Sequence, residues 1–462
     1  MLKETLIKDY NNNKNLLYDG FSERIQILKE RAFNCFQKQD MPHNKLENWR
    51  FTDIGKILEN TYEHYWYPPT ENVNIEQIFQ CELPEMDTYT VIQYNGWFLS
   101  RAADINTLEN GTIIGSLNKA MKMYPEIVEK YFGHNTDLEN NPLQALNTCF
   151  MLDGIFIYVP DNVVVEKPIQ IINIINSNNN TIVHPRNLFV VGKNSKITIV
   201  HCDHSLIHKL SFINSVSEIF VAENAEIDHY KMQNKDADSV LFTTINAQIE
   251  KNARISTNTL VLNGGIIRNN IKVKLNGQNA EADLKGLYLV DKKQHVDNQV
   301  YVIHEKPYCN SNQLYKGIID DEAKAVFNGR ILVQKDAQKT NAYQANNNIL
   351  LTDTAQVNSQ PQLEIYADDV KCSHGSTVGQ LDPDAMFYLK SRGICEHSAR
   401  MLLMYAFASE VVDKITIEAL RNRIDTLVKK RLRGELSICD QCMLHCNEKA
   451  PSFLNMDFKP IV

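Results

Sequence analysis

The sequence predicts a mainly β protein: a parallel (right-handed) β-helix, or solenoid, flanked by helical N-terminal and C-terminal regions. Three observations carry this reading. One corner segment recurs. Val191-Gly192-Lys193-Asn194-Ser195-Lys196-Ile197 resembles Val221-Ala222-Glu223-Asn224-Ala225-Glu226-Ile227 and Ile249-Glu250-Lys251-Asn252-Ala253-Arg254-Ile255. Asn279-Ala280-Glu281-Ala282 is a weaker fourth copy, and the four Asn stand 30, 28 and 27 residues apart. Asn tolerates the left-handed backbone that a sharp corner needs, and a small residue after it lets stacked corners approach. Between about residues 150 and 375, short β-branched runs alternate with Asn, Asp, Gly and Lys turns, and helical periodicity is nearly absent. Helical signals return only after residue 381. An antiparallel sandwich also separates its strands by regular turns, but corner chemistry repeated at one coil length favours stacked coils.

The elements follow in order. Residues 1–145 read as a mixed, mostly helical region. Phe21, Ile25, Leu28, Ala32 and Phe36 recur at helical spacing behind a candidate cap at Ser22, and Pro42 ends the segment. Thr90 to Tyr94 and Thr112 to Ile114 read as strands, with Asn95-Gly96 as a turn between them. Residues 146–380 form the solenoid, with strands expected at Ile169 to Ile175, Lys196 to Val200, Thr259 to Leu262 and Ile331 to Val333. A second repeat sets Ile331-Leu332-Val333, Ala337-Gln338 and Gln344 against Ile349-Leu350-Leu351, Ala355-Gln356 and Gln362, 18 residues later. Residues 381–462 turn helical. Asp382 caps a helix that begins at Pro383 and closes at Gly393. A second runs from about Ser398 to Val412, and a third carries Ile417, Leu420, Ile424, Leu427 and Leu432. Lys429, Lys430, Arg431 and Arg433 suit the dipole of its last turns without any ligand.

Composition excludes several classes. With 462 residues and a net charge of −8 the chain lacks the basic field that nucleic acid demands. Mean hydropathy is −0.34, and no stretch approaches the ~20 apolar residues that span a bilayer. The polar start, without an apolar leader, and 10 Cys lead us to expect a cytoplasmic chain with reduced thiols. There is no GxxxxGK[ST], GxGxxG or HExxH. If ATP is used, another chain must hydrolyse it.

Three groups of residues carry candidate chemistry. In Lys371-Cys372-Ser373-His374-Gly375, Cys372 and His374 are two apart. On a strand that spacing puts thiol and imidazole on one face, a partial site for iron, zinc or an iron–sulfur cluster. Lys371 and Lys390 are expected to help ionise the thiol. Two ligands cannot close a tetrahedral site, so the rest must come from elsewhere, and the bland reading is a buried Cys beside a hydrogen-bonded His. The second group is Cys439, Cys442, His445 and Cys446, enough donors for zinc or a cluster, weighed against a tail with incidental thiols. The third is His201, His204 and His208 with Cys202, read as exposed histidines of solenoid turns because the surroundings are strand-like. Trp97 reads as core packing.

The block Pro361-Gln362-Leu363-Glu364-Ile365-Tyr366-Ala367-Asp368-Asp369-Val370-Lys371-Cys372-Ser373-His374-Gly375 resembles the SufB/SufD family of iron–sulfur cluster assembly proteins, on its SufD side. The likeness continues through Thr377 to Asp382, Phe387-Tyr388-Leu389 and Ser391-Arg392-Gly393. Upstream it includes Phe327-Asn328-Gly329, Asp336 to Thr340 and Glu47 to Thr52. Ser376 departs from the small Ala common in the family. The resemblance implies a parallel β-helix between helical regions and a non-catalytic scaffold subunit of the SUF system with a role in iron acquisition. It implies pairing with a SufB-type paralogue and a SufC-type ABC ATPase that docks on helices from about 383 to 434. Cys372 and His374 would face iron or a nascent, transient cluster at the heterodimer interface, with partner-chain ligands. The isolated chain is expected to hold no cofactor and has an open edge that favours pairing with itself or the paralogue. Whether a reduced flavin assists the complex stays open. Two other classes stand beside this one. A β-helix carbohydrate-active enzyme would need paired acids along one face. A metal or redox protein would act through the C-terminal Cys cluster.

Overall fold

The repeated corners are real and they stack. In the computed structural model, which describes residues 2–69, 86–99, 103–205 and 209–434, Asn194, Asn224, Asn252 and Asn279 adopt φ of 54°, 59°, 56° and 59°. Their side chains form a ladder. Nδ2 of Asn224 donates to Oδ1 of Asn194 (2.9 Å), Asn252 to Asn224 (3.0 Å) and Asn279 to Asn252 (3.0 Å). Asn194 itself donates to Asn162, a fifth rung with φ 62° outside the sequence repeat. Tyr308 and Lys339 continue the corner at positive φ in place of Asn. The next residues, Ser195, Ala225, Ala253, Ala280 and Cys309, are small and buried, as close-stacked corners require.

Strands between the corners pair in parallel, coil upon coil, for about 8 turns. One sheet runs Arg186–Val191, Ser211–Val221, Ser239–Ile249, Ile266–Leu275, His295–His304, Lys324–Val333 and Gln356–Ile365. The other runs Tyr89–Tyr94, Ile169–Ile175, Lys196–Ser205, Glu226–Asn234, Arg254–Asn263, Glu281–Val290, Asn310–Ile319, Asn341–Leu350 and Lys371–Gly379. These parallel ladders set aside the sandwich. The 18-residue repeat marks half a coil and not a stacking unit. Ile331 pairs with Leu363 in the first sheet, whereas Ile349 pairs with Gly379 in the second.

The interior is mixed. Ile197, Ile227 and Ile255 stack with Phe189, Ile219 and Val273 in the main apolar core, each side chain contributing roughly 1.5–3 kcal/mol by burial. Polar groups share that space: Lys231 pairs with Asp203 (3.0 Å), and Gln233 bonds Asn269 (2.8 Å). His201 is buried beside them, 1% exposed, so it is not an exposed turn residue. Strand alternation puts its neighbour Cys202 on the opposite face, under the C-terminal helices. His208 lies outside the described residues.

Helices cover the outer faces. Leu2–Asn12, Glu23–Lys38 and Pro142–Phe150 pack Leu6, Tyr10, Phe33, Phe36 and Leu146 against Phe212 and Phe242 of the first sheet. Ile25, Ala32 and Phe36 are buried as their spacing requires, but Ser22 bonds Glu129 instead of capping the helix. Residue 145 falls within the helix Pro142–Phe150. Asn95-Gly96 turns Tyr89–Tyr94 back onto Trp97–Leu99, while the strand Ile113–Ser116 joins the other sheet. On the second sheet, Glu396–Val412 and Glu418–Leu432 bury Met404, Ala408, Val411, Ile424 and Val428 over Val200, Tyr230, Leu260 and Leu287. Arg431, read from sequence as a dipole complement, also bonds Asp291 (2.6 Å) and ties the last helix to the solenoid. No described helix is long and apolar enough to cross a membrane.

Candidate functional site

The two ends of the solenoid differ. Antiparallel pairs close the first: Tyr89–Tyr94 with Trp97–Leu99, and Ile113–Ser116 with Ile155–Val159. At the other end, among the described residues, Gln356–Ile365 and Lys371–Gly379 each have a strand on one side only. Inward residues buried in earlier coils become half-exposed here, among them Val357, Ser359, Pro361 and Leu363. Tyr366 is 63% exposed and Val378 49%. An uncapped strand edge with apolar side chains beside it is a pairing surface.

Cys372 and His374 stand on this last coil. Cys372 sits over Ala342 and His374 over Gln344, so both occupy the inward face of the last coil. Beneath Cys372 the column is Ala342, Ser311 and Ala282. Beneath His374 it is Gln344, Gln313 and Leu284. Cys372 is half-buried against Ala337, Ala342, Ala367 and Val370, and His374 is exposed. Burial pushes the Cys372 thiol up, partly offset by a backbone hydrogen bond from Ala342. This corrects the expected help from lysines, because Lys390 is engaged with Glu396 (2.9 Å) and no Lys acts on the thiol. A metal at Cys372 must therefore displace a proton.

Sequence reasoning missed the polar floor of this last coil. Ser376 donates to Ser359 (2.8 Å), and Ser359 donates to Oδ1 of Asn346 (2.8 Å). Asn346 donates to the Tyr288 hydroxyl (2.9 Å), which donates in turn to Asn348 (2.5 Å). In the neighbouring column Gln344 Nε2 donates to Gln313 Oε1 (2.8 Å). A Cβ on Gly329 would fall 1.6 Å from that Nε2, so the glycine is the space the amide fills. The sequence signal for this floor is Phe327-Asn328-Gly329 together with the Gln and Asn run from Gln344, but assigning it needs the coil register. Among the described residues no group of three or more His, Cys, Asp and Glu is placed to hold a metal ion. Cys439, Cys442, His445 and Cys446 lie outside the described residues.

The family model of the SUF system FeS cluster assembly SufBD core domain matches residues 173–407, and that of the SufBD protein N-terminal region matches residues 1–171. The chain belongs to the SufBD family. A SufBD family protein of Synechocystis, named for iron–sulfur cluster assembly, is 31% identical over 90% of this chain and 93% of its own length. Iron–sulfur cluster assembly protein SufD of Bacillus subtilis is 26% identical over 89% of this chain and 93% of its own. SufD of Escherichia coli is 36% identical over 54% of this chain and 59% of its own. SufBD membership sets this solenoid in the iron–sulfur cluster assembly system and leaves the carbohydrate-active alternative without support.

Proposed function

We propose that this chain is a non-catalytic scaffold subunit of SUF iron–sulfur cluster assembly, working on the SufD side of a pair with a SufB-type paralogue. The observation that carries the reading is the terminal coil, unpaired on its outer edge among the described residues, with Cys372 and His374 on its inward face. Two ligands leave a four-coordinate iron short of two. A partner strand edge placed against Lys371–Gly379 supplies both the missing hydrogen bonds and further donors. Iron or a nascent cluster is cargo at that interface, and iron acquisition is the step Cys372 and His374 serve. The helix Pro383–Ser391 buries no residue and presents Phe387, 74% exposed, and Tyr388. That apolar face supports docking of a SufC-type ATPase there.

The test is native mass spectrometry of this chain co-expressed without oxygen with its organism's B-type and ATPase subunits. One D chain, one B chain and two ATPase copies carrying iron is the expected assembly. A chain that stays free of both partners overturns the reading. Measurable ATP hydrolysis by the clean isolated chain overturns its non-catalytic part.

A further inference from the structure

We propose that Gln344 is a positioning residue that decides which ring nitrogen of His374 carries the proton. The inference deepens the reading of His374 as a cargo-facing ligand and rests on it for its purpose, but not for its test.

Wherever amides stack between coils at the solenoid's corners, the later coil donates and the earlier accepts: Asn224 to Asn194, Asn252 to Asn224, Asn279 to Asn252 and Asn341 to Asn310. Each rung's carbonyl oxygen thereby waits for a donor from the coil above. Gln344 stands inside a strand, where the direction varies (Asn269 donates to Asn298 of the later coil), and it gives its Nε2 proton to Gln313 of the earlier coil. Its own Oε1 is buried and finds no partner among the described residues. The residue in register above it is His374. A buried amide oxygen without a donor is costly to leave unpaired, and an imidazole N–H is the donor the next coil offers.

Gln344 is also held in place for this task. Its amide occupies the space left by Gly329, is anchored by Gln313, and is 3% exposed. The adjacent column, by contrast, closes on itself through Ser376, Ser359 and Asn346. When one ring nitrogen of His374 donates down to Gln344 Oε1, the other presents its lone pair outward from the open end. That orientation is what a metal-ligating imidazole needs.

The experiment labels histidine with 15N in the full-length, metal-free chain and reads the two-bond proton–nitrogen pattern of His374. The His374→Asn variant assigns the signal. A hydrogen bond of this kind shifts the tautomer ratio by roughly 2- to 10-fold. Wild type is expected to show one dominant tautomer. Gln344→Met, similar in shape but without the acceptor, is expected to relax it toward the free-imidazole mixture, and Gln344→Glu to restore it. If Gln344→Met does not fold, Gln313→Met loosens the anchored amide and should relax the ratio in the same direction. An unchanged His374 pattern in the folded variant overturns the proposal. Iron loading of the co-expressed complex is read separately. A tautomer that follows Gln344 while iron binding ignores His374 leaves this inference standing and removes the cargo reading instead.

Discussion

At the scale of single residues, the site combines one pair legible in the sequence with a setting that was not. Cys372 and His374 stand out because a two-residue spacing on a strand shares a face, and the surrounding block carries the family likeness. Gln344, Ser359 and Ser376 do not stand out, because only the register brings residues 17 or 30 positions apart together. Cys372 is half-buried on the last coil, so Cys372→Ala should change stability by about 1 kcal/mol or less while iron loading of the complex is lost. Thermal unfolding checks the first outcome and iron content of the purified complex the second. A collapsed transition would instead make Cys372 a core residue. Because burial pushes the thiol up, the proposed iron binding there would release its proton, and apparent affinity should rise with pH by up to about tenfold per unit below the thiol pKa. Iron titrations between pH 6.5 and 8.5 read this directly.

At the scale of elements, the corner is the unit that makes the coil. Asn194, Asn224, Asn252 and Asn279 were visible as a repeat because they share both a backbone conformation and a side-chain ladder. Asn162, Tyr308 and Lys339 adopt the same positive φ without the repeated segment, since the stacked coils on either side dictate their backbone. That part of the fold was not readable locally. Asn224→Ala removes two ladder bonds, to Asn194 and from Asn252, and puts a Cβ without a local hydrogen bond at φ 59°. We expect a loss of about 2–4 kcal/mol. Asn224→Gly keeps the conformation and should lose about half of that. Urea unfolding of the two variants separates backbone strain from the ladder; equal losses would assign everything to the side-chain bonds. The helix Pro383–Ser391 makes a different prediction. Its Asp382 cap is formed, with the carboxylate accepting from Asp384 and Ala385, yet no residue of the helix is buried. Under the proposed docking, Phe387→Glu should leave the thermal transition unchanged and weaken binding of a SufC-type ATPase subunit at least tenfold, read by isothermal titration.

At the scale of the whole molecule, the described solenoid is closed at one end and open at the other, and it buries His184, His201, His229 and His304 between. The mainly β class, the stacked coils and the flanking helices were legible because repeats and periodicity survive in the sequence. The polar interior was not, because His201 and His229 carry no sign of facing inward until the strands are registered. Burial and the neighbouring Lys231 hold His201 well below the ordinary histidine range. Burial first, then Lys231, lowers His229 to about 3, and burial alone lowers His304 to about 4. His184, packed near His64 under the N-terminal helices, is likewise well below 6.5 through burial. Each of these groups is neutral in the folded state and free to take a proton once unfolded. The unfolded chain therefore binds more protons at every pH between the unfolded value, near 6.5, and the lowered folded one, and stability must fall as pH falls through that window. At pH 5 a histidine lowered to about 4 has lost roughly 2 kcal/mol relative to pH 8. Four such groups approach the whole net stability of an ordinary domain, about 5–15 kcal/mol. Asp203, held down despite burial by Lys231, adds its own acid loss only below its unfolded value, near 3.9. The expected result is a midpoint of thermal unfolding that is flat from pH 8 to 7 and drops steeply from 6.5 to 5, with His304→Asn shallower than wild type across the same range. His304 is chosen because it bonds only Ser311 and faces no charged partner, so the change in slope reports one proton. A midpoint flat down to pH 5 would mean that these imidazoles already meet water inside the solenoid and titrate there without unfolding it.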